Sequence, residues 1–224
     1  MKTEQKKCLG EFLRYALMNV SGMIGLSCYI LADTFFVATG LGADGLAALN
    51  LAIPVYSLVH GTGLMLGMGG ATRYAIFRGQ GADSNGNRVF FVTLCLSVCF
   101  MAAYTASGLF LSEKIASFLG ADEAVFSMTE TYLKVILLFA PAFLLNDILL
   151  CFVRNDGNPR LSMTAMLTGS MSNILLDYIF IFPMNMGIFG AVLATGMAPL
   201  ISMAVMSSYF IRKKNHFRPE RGEW

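Results

Sequence analysis

Six stretches of this sequence are each long and apolar enough to cross a bilayer, and nothing else in it narrows the fold as much. They run at about 12–38, 47–74, 89–111, 131–153, 161–182 and 188–211, against the roughly 20 residues that a helical crossing requires. Short connections rich in turn residues separate them, among them "TGLGADG", "RGQGADSNGNR" and "RNDGNPR". In hydrocarbon every backbone N–H and C=O needs an internal partner, so such runs must be helices; a barrel would show short alternating strands instead. Composition agrees, because only 13% of the 224 residues are charged, about half the 25% usual for a water-facing surface. The expected fold is an all-α membrane protein of six transmembrane helices. The opening "MKTEQKK" is followed by an apolar run far longer than the 7–15 residues of a signal-peptide core, so it reads as an uncleaved first span.

Basic residues orient the bundle. Of the 16 Lys and Arg residues, all but Lys114 and Lys134 fall on the side holding both termini and the second and fourth loops. Acids, including Glu113, Asp122, Glu123 and Glu130, dominate the third loop on the other side. By the positive-inside rule both termini are expected in the cytoplasm of a multi-pass plasma-membrane protein. A net charge of only +2 gives no reason to expect a nucleic-acid partner. Five cysteines (Cys8, Cys28, Cys95, Cys99, Cys151) make no CxxC pair, and His60 and His216 make no HExxH, so they read as packing residues rather than a metal or redox centre. Pro54, Pro141 and Pro199 lie inside spans two, four and six, where each removes a backbone hydrogen bond and can kink its helix. Gly63 and Gly67 form a GxxxG pattern that favours close helix packing.

Three carboxylates, Asp33, Asp147 and Asp177, sit inside apolar spans. Each is costly there unless protonated, paired or hydrated, which makes them the leading functional candidates. At 1.5 Å per residue, Asp33 lies about 10 Å below the outer end of span one, and Asp177 and Asn173 lie about 9 and 15 Å down span five. Thr195 falls about 12 Å down span six, in the same layer. Asn173 and Asp177, four residues apart, present their oxygens on one helix face. Two carboxylates, an amide and a hydroxyl suit a Na⁺ ion or a shared proton; alternatively they only hydrogen-bond the bundle together. Asp147, about 24 Å from the outer end of span four, belongs to another level, receives no role and is expected to hydrogen-bond near the interface.

Three ordered motifs carry a resemblance that covers nearly the whole chain. "LADTFFVATGLGADGLAALNLAIP", "FVRNDGNPR" and "SNILLDYIFIFPMNMGIFGAVLATGMAP" are similar to the first-helix, fourth-loop and fifth-to-sixth-helix signatures of the multidrug and toxic compound extrusion (MATE) transporters. The resemblance implies one lobe of a two-lobe secondary exporter that moves cationic amphipathic drugs outward against inward Na⁺ or H⁺. It implies no cofactor beyond the coupling ion and no enzymatic activity, and it matches Asp33, Asn173, Asp177 and Thr195 to the N-lobe cation site. Family members commonly carry a proline in the inner half of helix one; here "RYALMNVSGMIG" has none, and bending would fall to Gly22 and Gly25. The family has twelve helices in two lobes, so the expectation is a truncated or half-length chain needing a second six-helix lobe, with residues 212–224 resembling the interlobe linker.

The rival readings are weaker. A lipid-linked oligosaccharide flippase of the same superfamily would be expected to line its cavity with Arg and Lys, and Lys134 is almost alone within these spans. An intramembrane aspartyl protease would be expected to carry GxGD, which "LADT" and "LLDY" do not supply. A non-transporting scaffold stays open should the aspartates prove inert.

Overall fold

A computed structural model of the chain describes residues 2–219. The side chains of Lys2, Lys6, Lys7, Cys8 and Arg14, and the whole of Arg221, lie outside the described residues. The elements are seven helices: α1 (Lys2–Gly79), α2 (Asp83–Phe110), α3 (Ser112–Phe118), α4 (Phe126–Leu138), α5 (Ala140–Asn155), α6 (Pro159–Ile181) and α7 (Gly187–Ile211).

Helix α1 is two antiparallel arms rather than one rod. Its helical geometry fails at Gly42, at φ 70° and ψ −158°. Tyr29 and Tyr56, nearly equidistant from that glycine, bring their hydroxyls within 2.6 Å; in a straight helix 27 residues would separate them by about 40 Å. The seven-residue loop expected from "TGLGADG" is thus a reversal at a single residue, because Gly42 adopts a conformation essentially closed to side chains. A Cβ placed there would meet no atom within 4 Å, so Gly42→Ala is a clean test of backbone strain. We expect it to lower unfolding stability in detergent by about 1–3 kcal/mol; an unchanged melting temperature would mean that the arms reverse by other means.

Span four is bent. Helices α4 and α5 meet at Phe139 at an angle of 48°, with Pro141 in the first turn of α5. The proline has no N–H for the carbonyl four residues back, and its ring crowds that carbonyl. Pro54 and Pro199 remain inside helices that continue through them. Helix α4 also begins at Phe126, five residues before the expected start at 131. Its buried positions Thr129, Tyr132, Leu133, Ile136 and Leu137 follow helical spacing well into what reads as loop. The two arms of α1, then α2, the bent α4–α5 pair, α6 and α7 make six crossing-length units among the described residues.

Glycines set how these units pack. Gly22, Gly25 and Gly40 face Met166, Leu167 and Ile181 in rising order, so the first arm runs parallel to α6. Gly63 and Gly67 face Asp147 and Cys151, so the second arm runs parallel to α5. Two apolar clusters fill the interior. One, around Leu133, Ile136 and Leu144, lies toward the Gly42 end. The other, around Phe90, Ile148 and Phe152, lies toward the basic end. Large apolar side chains such as Leu31, Phe35, Val98 and Leu175 stay exposed, as lipid-facing positions do.

Past α7 the chain does not leave as a free tail. Phe217 is almost fully buried among Tyr74, Phe90, Phe152 and Phe210. Beside it the buried carboxylate of Asp156 gathers donors from three elements. Tyr74 Oη donates to its Oδ1 at 2.6 Å, and Tyr209 Oη and the His216 N–H donate to its Oδ2 at 2.7 and 2.9 Å. Arg78 forms an ion pair with the same group.

Candidate functional site

Asp33, on the first arm of α1, is 7% exposed, while Asn173 and Asp177 on α6 are fully enclosed and Thr195 on α7 nearly so. With the Asn173 amide turned so that each end meets a complementary group, its Nδ2 donates to Asp177 Oδ2 at 3.2 Å and its Oδ1 accepts from the Thr195 N–H at 3.1 Å. The Thr195 hydroxyl donates to the Ala191 carbonyl at 3.1 Å. Asp33 shares a cavity of about 120 Å³ with Thr195, Tyr132, Tyr29 and Tyr56, and its charge is close enough to act directly on Asp177. The four residues that depth assigns to one layer therefore meet.

The chemistry of this cluster lies in what is left over. Asp33 Oδ1 and Asp177 Oδ1 are both buried with no hydrogen-bond partner in the protein. Two unsatisfied carboxylate oxygens buried in one low-dielectric cluster need a cation or a proton to persist there. Hard oxygen donors of this kind fit Na⁺ as well as H⁺. Among the described residues no group of three His, Cys, Asp or Glu side chains marks a transition-metal centre. Tyr132 was not singled out by sequence reasoning, yet it is buried and lines the same cavity as Asp33 and Thr195. It lies at the start of the expected fourth span, where an aromatic residue carries no charge to mark it as part of a site.

Asp147, to which the sequence assigns no role, is buried and has a neighbour of its own. It is 3% exposed on α5, and its Oδ2 lies 2.9 Å from His60 Nδ1 on the second arm of α1. The contact is close but off the line of a well-directed hydrogen bond, since neither atom is satisfied by it. Depth arithmetic contained the signal: counted from Ala47 at 1.5 Å per residue, His60 lies about 20 Å down, beside Asp147 at about 24 Å. Both line a cavity of about 390 Å³ that also reaches Asn173 and Thr195.

Known proteins place this geometry. The sequence matches the MatE family over residues 20–179. The multidrug export protein MepA of Staphylococcus saprophyticus is 26% identical over 212 residues, which cover 95% of this chain and 47% of that protein. Among solved structures, a MOP superfamily transporter from Pyrococcus furiosus superposes with a TM-score of 0.85 at 27% identity, over 93% of this chain and 46% of its own. A multidrug resistance MATE family transporter in its outward-facing conformation gives 0.84 at 27% identity, over 92% and 46%. The chain spans about half the length of the curated relatives it matches, and its fold corresponds to one lobe of the solved transporters. With the match extending over well over half of its residues, the chain belongs to the MatE family.

Proposed function

We propose that this chain is the N-terminal lobe of a cation-coupled multidrug exporter, and that Asp33, Asn173, Asp177 and Thr195 bind the coupling ion, Na⁺ or H⁺. The observation that carries the reading is the pair of buried, unpartnered oxygens on Asp33 and Asp177. Family membership supports transport of cationic amphipathic molecules in partnership with a second six-helix lobe. Alternating access by rocking requires two lobes around a shared cavity. The basic residues at one end support cytoplasmic termini.

In this mechanism a cationic drug is drawn to the carboxylates of the cavity. Entry of Na⁺ or H⁺ from outside neutralises Asp33 and Asp177, which removes the counter-charge and releases the drug outward. Inward release of the ion restores the charge. The ion drives the cycle only by binding the two conformations with different affinity.

The lobe can be tested alone. Thermal stability of the purified chain, measured against Na⁺ at constant ionic strength and pH, is expected to rise by about 2.7 kcal/mol at a hundredfold excess over Kd. Asp177→Asn is expected to abolish the rise. Stabilisation that survives Asp177→Asn would remove this residue from the site, and a response equal for Na⁺ and K⁺ would remove Na⁺ as the coupling ion.

A further inference from the structure

We propose that His60 and Asp147 form a second ion-exchange site, specific for the proton, which opens on the large cavity and is separate from the Asp33–Asp177 layer. It rests on geometry independent of that layer. The pair joins two different elements at 2.9 Å within apolar spans, where an ionisable residue must be paired, protonated or hydrated to persist. Asp147 is enclosed, whereas the His60 side chain keeps 27% exposure, so the imidazole is the end through which protons enter and leave.

The surroundings show a built site rather than packed filling. Asn146 Oδ1, Asp147 Oδ2, His60 Nδ1 and Ser202 Oγ are all buried without a hydrogen-bond partner in the protein, and all four residues line the same cavity. Gly63 lets the carboxylate approach, since a Cβ at that position would stand 2.6 Å from Asp147 Oδ2. An imidazole nitrogen in the donor set argues for H⁺ over Na⁺, because hard alkali cations take oxygen ligands. One proton carried between carboxylate and imidazole changes the net charge of the pair from −1 to 0.

The titratable groups facing the pair are few. From α1, Tyr56 stacks on His60 with ring centroids 6.0 Å apart, and its hydroxyl meets that of Tyr29 at 2.6 Å. From α5, Cys151 and Arg154 line the cavity. The cavity residues of α6 and α7, including Ser162, Ser170, Asn173, Thr195 and Ser202, bear no charge. Tyr29, Tyr56 and Thr195 line both this cavity and the smaller one around Asp33, so they stand between the two sites. Asn173 and Thr195 of the coupling layer also line this cavity, but Asp33 and Asp177 do not, so the pair is a carboxylate and an imidazole of its own.

The chain has two histidines, which makes ¹⁵N imidazole NMR a direct test. In ¹⁵N-histidine-labelled protein in detergent, the His60 signal is identified by its loss in His60→Gln. It is expected to change with pH as the imidazole gains and loses its proton. Asp147→Asn is expected to move the midpoint by about one pH unit or more, and Asp177→Asn to leave it in place. No movement in Asp147→Asn overturns the pairing. An equal movement in Asp177→Asn overturns the separateness of the sites. Absence of any His60 titration overturns proton exchange. None of these outcomes depends on whether Na⁺ stabilises the wild-type lobe, so this inference and the assignment of the coupling site fail by different measurements.

Discussion

Replacing Asp156 by alanine is expected to destabilise the folded lobe by about 3–5 kcal/mol, the range for breaking a buried charged pair from one side. The size follows from how many groups depend on one carboxylate. Tyr74, Tyr209, the His216 backbone N–H and Arg78 all direct donors at it from α1, α7 and the segment after α7. Removing the acceptor leaves the hydroxyls of Tyr74 and Tyr209 without the oxygen they donate to and takes the counter-charge from Arg78, which keeps its bond to Tyr74 Oη. The same change is expected to free the segment that Phe217 anchors, so that trypsin cleaves faster at Arg212, Lys213 and Lys214, which are already exposed. His216→Ala should do neither, because the shorter bond to Asp156, at 2.9 Å, comes from the main chain, and the imidazole, 3.3 Å from the carboxylate, is 61% exposed. Trypsin cleavage that is unchanged in Asp156→Ala would mean that the aromatic cluster alone holds the segment.

The second large effect is expected at Gly67. A Cβ there would stand 3.0 Å from the Asp147 carbonyl oxygen and 3.1 Å from the Ile148 Cα. Those atoms belong to the backbone of α5 and cannot rotate aside. Gly67→Leu must therefore push the second arm of α1 away from α5, at a cost of about 3 kcal/mol, and in doing so part His60 from Asp147. Gly69 provides the control, since a Cβ there meets nothing within 4 Å. Gly69→Ala is expected to be neutral or to stabilise by up to about 1 kcal/mol through helix propensity. If thermal unfolding shows equal losses for both variants, helix propensity rather than close approach governs this face.

The readable part of the fold and site is the part written in one dimension. Apolar run length located the helices, and rise per residue placed Asp33, Asn173, Asp177 and Thr195 at one depth, where the structure brings them together. The GxxxG spacing of Gly63 and Gly67 marked a close approach, which the structure assigns to α5. Depth carries no azimuth, however. His60 and Asp147 share a level, yet which faces of span two and span four meet is decided by three-dimensional packing. Tyr132 fell inside the expected fourth span but carries no charge, and only the packing of α4 brings it to the cavity of Asp33 and Thr195.

By itself, then, the sequence determined the all-helical class and which polar groups share a level along the helices, because lipid enforces helices and a helix converts residue count into depth. Only the tertiary structure decided what each polar group faces. Asp156 reads as a loop residue in "RNDGNPR" and becomes the acceptor that ties α1, α7 and the C-terminal segment together. Gly42 reads as one glycine among 22 and is the single point where α1 reverses. Both outcomes depend on partners that are remote along the chain, and such contacts leave no periodicity for a linear reading to detect.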